Sequence, residues 1–372
     1  ISPYLIFRVT GEVLSRDAPI KQSVSGIMEP EKLTEREQQV LEAIVRNYIL
    51  SASPTSSRYI SKQSGFDLSA ASIRNCMGDL EEKGYITQPH TSAGRIPTDK
   101  GYRYYVNCMM RFMDIPDETK TLIRSSLTSV DYSDLHLLME ATSRALSRAT
   151  NQLGVILAPR LKKGVFRHVH IYFIGSGRYL MNVAIDSGFA KTMTVELQTE
   201  VVQERLESAC RILTSKFTGM TLSEICDVEM QALADVEEIE LGVIRLLVPS
   251  LKKLVEQSED EKIFADGQTN VMLQPEFFDR ERIAALIEIL EEKRLLLHLF
   301  DSPEQEDKSG IVISIGGENR GDQLQSFSII KTVYQVGSMT GSLGVIGPKR
   351  MPYPYLVSTV TYTARLLGEL YS

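Results

Sequence analysis

The chain has 372 residues, 43% of them hydrophobic and 24% charged, with a formal net charge of −7. That is the balance of a soluble globular protein with length for two or three domains. It holds no run of about 18 apolar residues, so no membrane-spanning helix and no membrane partner are expected.

The four cysteines (Cys76, Cys108, Cys210 and Cys226) are scattered and form no C-x-x-C pair. This argues against zinc and dithiol chemistry and fits a reducing, cytoplasmic setting. Charge is uneven along the chain. Residues 33–112 hold 10 Lys/Arg against 8 Asp/Glu, whereas residues 113–372 hold 27 against 36. A basic head on an acidic body places any anionic partner at the head.

Residues 1–32 show no sustained period and are broken by Pro3, Gly11, Pro19, Gly26 and Pro30. They read as a poorly ordered extension. Residues 1–7 lack a basic leader and a cleavage site, so no signal peptide is expected, and Met28 stands where translation would begin. Thr34-Glu-Arg-Glu37 is a capping box, and Val40, Leu41, Ile44, Val45, Tyr48 and Ile49 follow at helical spacing. Ser53-Pro-Thr55 marks a turn. Ser57 is the expected cap of a short helix carrying Tyr59, Ile60 and Gln63.

Ser69 caps a third helix that ends at Gly84, with Ile73, Met77 and Leu80 on its docking stripe. Its other side offers Ser69, Ala71, Ser72, Arg74 and Asn75 near the N-terminus, where a recognition helix meets base edges. Tyr85–Gln88 and Arg95–Pro97 read as two strands of a wing whose loop presents His90, Ser92 and Arg95 to DNA. Thr98 opens another helix. Its Tyr102, Tyr104 and Tyr105 read as filling the seam under the wing rather than as a base-stacking platform. Residues 33–112 are therefore an expected winged helix-turn-helix DNA-binding domain.

Two segments, Leu80-Glu-Glu-Lys-Gly-Tyr-Ile86 and Gln88-Pro-His-Thr-Ser-Ala-Gly-Arg-Ile-Pro-Thr-Asp-Lys-Gly-Tyr-Arg-Tyr-Tyr-Val106, closely resemble the heat-inducible transcription repressor family HrcA. The likeness continues at Ile315-Gly-Gly-Glu-Asn319 and Gly344-Val-Ile-Gly-Pro-Lys-Arg-Met351. The extension at residues 1–32 departs from the family pattern. The resemblance implies a repressor that binds the CIRCE inverted repeat upstream of chaperone genes as a homodimer. It also implies that the GroEL chaperonin holds this repressor competent.

Helices are expected from Pro116 and over 135–149, then a buried strand at Gly154–Ala158. Strands follow at 166–173, 179–185 and 192–197, and a helix at 202–217. This order gives an α+β fold, and the resemblance calls it GAF-like, with residues 113–221 as its first part and 301–372 as its second. Between them, residues 222–300 read as a mainly helical insert. They include a helix at 236–255 that Pro249 should kink or split, and one long helix over 277–300. The resemblance makes this insert the dimerisation domain. Leu246, Leu247, Leu286, Leu290 and Leu295 exceed what a short insert buries alone, so they are assigned to a two-fold interface.

No other motif carries chemistry. His168 and His170 share a strand face without a third ligand, so no metal site is expected. Gly175-Ser-Gly177 leads into a strand, not a helix, and Lys349-Arg350 is out of frame for a phosphate loop. The latter segment reads as fold closure. No nucleophile or carboxylate pair is placed for catalysis, so neither enzyme activity nor a cofactor is expected. The rival reading is a regulator whose GAF-like domain senses a small-molecule effector.

Overall fold

The computed structural model describes residues 5–8, 32–63, 68–91, 93–131, 134–186, 188–197, 201–228, 238–257, 263–301 and 310–370. Within the expected disordered extension, Leu5–Arg8 is a strand (β1); the rest of 1–31 lies outside the described residues.

Helix α1 (Glu35–Ser51) starts at the Thr34 capping box and stops at Ala52 in the left-handed region. The one-turn α2 (Ser57–Ile60) is capped by Ser56, because Ser57 itself is buried beneath the turn. Helix α3 (Ala70–Glu82) has Ser69 as its cap and buries Ile73, Met77 and Leu80. Strands β2 (Ile86–Thr87) and β3 (Ile96–Pro97) form a short antiparallel hairpin. Then α4 (Asp99–Tyr104) is capped by Thr98 and runs into a π turn at Tyr105–Met109. Tyr102, Tyr104 and Tyr105 are all buried in the seam.

The body begins with α5 (Asp117–Thr128) and α6 (Leu135–Thr150). Buried strand β4 (Leu153–Leu157) follows. Three strands come next: β5 (Phe166–Gly175), β6 (Arg178–Ile185) and β7 (Ala190–Glu196). Helices α7 (Gln203–Phe217), α8 (Leu222–Asp227) and α9 (Glu238–Gln257) come after them. The chain continues through β8 (Ile263–Asp266), α10 (Gln268–Met272), α11 (Arg280–Glu291) and α12 (Lys293–Phe300). It closes with β9 (Gly310–Ile315), β10 (Phe327–Val336), β11 (Met339–Pro348) and α13 (Tyr353–Leu370).

These strands divide differently from the expected plan. Six of them form one antiparallel sheet in the order β1-β9-β10-β11-β4-β8, while β5-β6-β7 form a separate sheet. Strand β8 pairs with β4, Leu157 opposite Ile263, so residues 263–300 return to the large sheet. The separate unit therefore spans β5 through α9 and contains three of the four strands assigned to the first part of the GAF-like domain, while β4 stays in the large sheet. It is tied back by Ser338, whose hydroxyl donates to Asp186 Oδ1 at 3.0 Å and whose amide reaches Asp186 Oδ2 at 3.2 Å.

Helices α6 and α13 cover one face of the large sheet. Tyr334 spans that face and donates to the Leu157 carbonyl at 2.9 Å. The opposite face packs Phe327 and Ile329 against Phe277, Leu286, Ile289 and Phe300. Two helices differ from expectation. The expected long helix over 277–300 is broken at Glu292, where ψ is 77°, and side chains of both α11 and α12 pack on this face. Helix α9, by contrast, runs through Pro249 as one element.

Candidate nucleic-acid interface

The exposed side of α3 is set by its buried side. Ile73, Met77 and Leu80 recur at steps of four and three, which turns Ala71, Ser72, Arg74 and Asn75 outward, and all four are exposed. Ser69 is exposed too, but its hydroxyl is engaged. It accepts from the Ser72 amide at 3.1 Å and lies 2.9 Å from the Ser72 hydroxyl. Ser69 thus fixes where the helix begins, while Arg74 and Asn75 project from its first two turns.

The far end of α3 is anchored to the start of α1. Lys83 Nζ donates to Glu37 Oε1 at 2.7 Å, and the Thr34 amide and hydroxyl donate to Glu37 Oε2 at 2.8 and 2.9 Å. Burial alone would push the Glu37 carboxyl up. The hydrogen bonds from Lys83 and Thr34, with the Lys83 charge, outweigh it and hold the group below its ordinary value.

The hairpin loop is folded on itself. Gln88 Nε2 donates to the Thr91 and Ala93 carbonyls at 2.9 and 3.0 Å, and the Ala93 amide donates to the His90 carbonyl at 2.8 Å. Thr55, between α1 and α2, pairs with Arg95 and adds a rung beside the hairpin. That approach requires Gly94, since an added Cβ would fall 2.9 Å from the Pro54 carbonyl carbon and closer still to Thr55. His90 is exposed at the loop. Ser92 lies outside the described residues.

Arg95 is placed otherwise than expected. It is only partly exposed, and its Nε and Nη2 donate to Glu81 Oε2 at 3.0 and 2.8 Å, clamping the hairpin to α3. Nothing in the apolar spacing marks Arg58, Tyr59 or Lys62, yet all three are exposed on and just after α2. Tyr59 is 48% exposed rather than part of the core. A one-turn helix buries only Ser57 and Ile60, which frees its other side chains for solvent or a partner.

The leucines assigned to a dimer interface do not form one surface. Leu247 and Leu286 are fully buried in two separate cores of the same chain. Leu290 and Leu295 are half-buried against the large sheet with α11 and α12. Only Leu246 is exposed, at 40%. The inserted unit instead exposes Tyr172, Phe173 and Ile174 on β5, together with Val202 at the start of α7. His168, His170 and Tyr172 form a ladder on that strand, with ring centroids 5.0 and 6.3 Å apart. Among the described residues no group of three or more His, Cys, Asp or Glu is arranged to hold a metal ion. No helix among them is long and apolar enough to cross a membrane.

Residues 136–357 match the family model described as the HrcA protein C-terminal domain. The heat-inducible transcription repressor HrcA of Chlorobium phaeobacteroides is 36% identical over 345 residues, covering 91% of this chain and 98% of that protein. The protein of the same name from Geobacter sulfurreducens is 36% identical over 342 residues, again covering 91% and 98%. A solved structure described only as a hypothetical protein shares the fold, with a TM-score of 0.57 at 24% identity, covering 91% of this chain and 99% of its own. The chain belongs to the HrcA family of heat-inducible transcription repressors.

Proposed function

We propose that residues 33–112 are a winged helix-turn-helix and that α3 reads an inverted-repeat operator of the CIRCE type in the major groove. The single observation that carries this reading is α3 itself. Its apolar stripe is buried, it is fixed at both ends by Ser69 and Lys83, and Ala71, Ser72, Arg74 and Asn75 stand exposed on one end. Arg and Asn are the side chains that pair bidentately with guanine and adenine edges. Arg58, Lys62 and His90 in the hairpin loop then flank the duplex as backbone contacts.

The repressor acts as a homodimer, because a symmetric operator calls for a two-fold protein. The exposed apolar side chains of the inserted unit (Tyr172, Phe173, Ile174, Val202 and Leu246) support self-association there rather than through Leu247 or Leu286. The large α+β unit is GAF-like. The face of its sheet toward α11 and α12 is filled by Phe277, Leu286, Phe300 and Phe327, which favours a structural role over effector sensing. GroEL modulates the activity, as in the family. A mobility-shift assay on a CIRCE-type duplex against a scrambled duplex, with and without purified GroEL, tests the reading. Equal binding to both duplexes defeats operator recognition; no response to GroEL defeats the chaperonin link.

A further inference from the structure

Two motifs meet the head: Ile315-Gly-Gly-Glu-Asn319, which carries part of the family resemblance, and Gly347-Pro-Lys-Arg350, which reads as fold closure. The Asp99 carboxylate at the start of α4 accepts from the Gly317 amide at 2.9 Å and from Lys349 Nζ at 2.6 Å. One turn on, Arg103 Nε donates to Glu318 Oε1 at 2.7 Å, and its Nη2 donates to Glu318 Oε2 and, at 2.8 Å, to the Ile313 carbonyl. Glu318 is itself held by the Ile315 amide at 2.8 Å. Arg350 donates to the Ile49 carbonyl at the end of α1, at 2.6 Å, and is paired with Glu276. Gly316 has φ +55°, and a Cβ there would collide with the Asp99 carboxylate. The glycine pair is a seat for a carboxylate of the head.

We propose that this clasp sets the heading of α3 relative to the body, which makes Asp99, Arg103, Glu318, Lys349 and Arg350 positioning residues for operator recognition. The proposal rests on the reading of a dimer on an inverted repeat. Helix α4 is bound rigidly to the end of α3: Lys100 Nζ donates to the Lys83 carbonyl and Thr98 Oγ1 to the Gly84 carbonyl, both at 2.7 Å. A rotation of α4 on the body therefore carries α3 with it. The 13 residues of α3 span about 20 Å, so a change in heading of about 10° displaces its DNA-facing end by about 3.5 Å. That is about one base-pair step along a strand. In a dimer, the clasp decides which separation of half-sites both heads reach together. Bidentate guanidinium–carboxylate pairing suits this role, because it fixes orientation as well as distance.

The test uses the full-length protein and CIRCE-type duplexes whose half-site separation is changed by one and two base pairs in each direction, together with a single half-site duplex. Wild type is expected to prefer one separation by roughly tenfold or more, in line with the cost of a misplaced half-site contact. Arg103→Ala and Lys349→Gln are expected to flatten that preference to about threefold or less, since each head then samples several headings, while half-site affinity stays within about twofold. Should Arg103→Ala lose half-site binding through misfolding, Lys349→Gln, which removes one partly exposed ion pair, decides the matter. An undiminished preference in a variant that still binds the half-site overturns the proposal. So does a uniform gain on every duplex, which would mean that the clasp restrains the head away from DNA. If wild type binds the inverted repeat no better than the half-site, the dimer reading fails first and this proposal with it.

Discussion

Removing the Glu37 carboxylate tests how α3, the proposed DNA-reading helix, is anchored. The carboxylate is buried and accepts three hydrogen bonds, from the Thr34 amide, the Thr34 hydroxyl and Lys83. Breaking a buried pair costs up to about 5 kcal/mol when the orphaned charge stays dry. Here the Lys83 side chain is 30% exposed and can recover water. Loss of the capping box adds about 1 kcal/mol. Together Glu37→Ala should cost about 2–3 kcal/mol of local stability, and Glu37→Gln, which keeps one acceptor, about 1–2 kcal/mol. Hydrogen exchange at the core amides of α1 reads this as a rise of roughly 30- to 150-fold for Glu37→Ala, at about 1.4 kcal/mol per decade. The pH dependence fixes the cause. The folded carboxyl lies below its ordinary 4.5, so its contribution is fully present above that value and fades as pH falls through the folded pKa. The gap between wild type and Glu37→Gln, corrected for intrinsic exchange rates, should therefore be constant above about pH 5 and narrow below 4.5. A gap that does not narrow at all as pH falls below 4.5 would refute the ionic anchor.

Arg74→Ala should lose about 1–3 kcal/mol on operator DNA and little on random duplex, measured by fluorescence anisotropy, since a base contact discriminates sequence; equal losses on both would reduce it to a phosphate contact. Arg95→Ala should change the salt slope by less than one unit in the same titrations, because Glu81 already pairs with its guanidinium, and a full unit would show that it leaves Glu81 for DNA. Leu247→Ala should destabilise by about 2–5 kcal/mol in denaturant melts, whereas Leu246→Ala should leave melting within about 0.5 kcal/mol and weaken self-association in sedimentation; the reverse pattern would refute the burial assignment. Lys331, on β10, donates to the Leu299 carbonyl at the end of α12, and burial pulls its ammonium down to about 8 against the opposing Asp301 charge. Its folded pKa lies below the ordinary 10.5, so wild-type stability relative to Lys331→Met should rise as pH climbs from about 8 to 10.5, and a flat difference in pH-dependent melts would refute the shift.

Much of the head is legible in sequence because its signals are local. Thr34, Ser69 and Thr98 each cap a helix within three residues of themselves, and a buried stripe of Ile73, Met77 and Leu80 needs only its own spacing to be seen. The exposed Arg74 and Asn75 follow from that stripe by geometry. Arg95 does not, because its partner Glu81 sits on another element and only the closed hairpin brings them together. The body was less legible for a related reason. The apolar run at 154–158 marks a buried strand but says nothing of its pairing with β8, more than 100 residues away. The apolar side of 280–300 has the spacing of a helix seeking a partner, and the partner is the chain's own large sheet. The same period would serve a dimer interface, which is why Leu286, Leu290 and Leu295 were assigned to one.

The charged signature residues carry the argument one step further. The pairs that join head to body are distant in sequence: Arg103 and Glu318 lie 215 residues apart, Asp99 and Lys349 250, and Arg350 and Ile49 301. The seam they close is mixed, with an apolar part in which Tyr102 and Tyr353 belong to one buried cluster that continues from head to body. The Tyr102 ring meets Tyr353 across it at 6.0 Å, and the Tyr102 hydroxyl is buried there without a hydrogen-bond partner among the described residues. An apolar seam of the same area would hold the head more tightly, since buried ion pairs contribute little net stability against hydrophobic replacements. What ion pairs supply that apolar contacts do not is a defined mutual orientation, because each guanidinium and carboxylate must meet in one plane. A glycine pair shaped around one carboxylate, and a glutamate fixed by a backbone amide before it grips Arg103, are features of a joint that specifies direction. For the proposed dimer, which presents two recognition helices at one separation, direction is the property that matters.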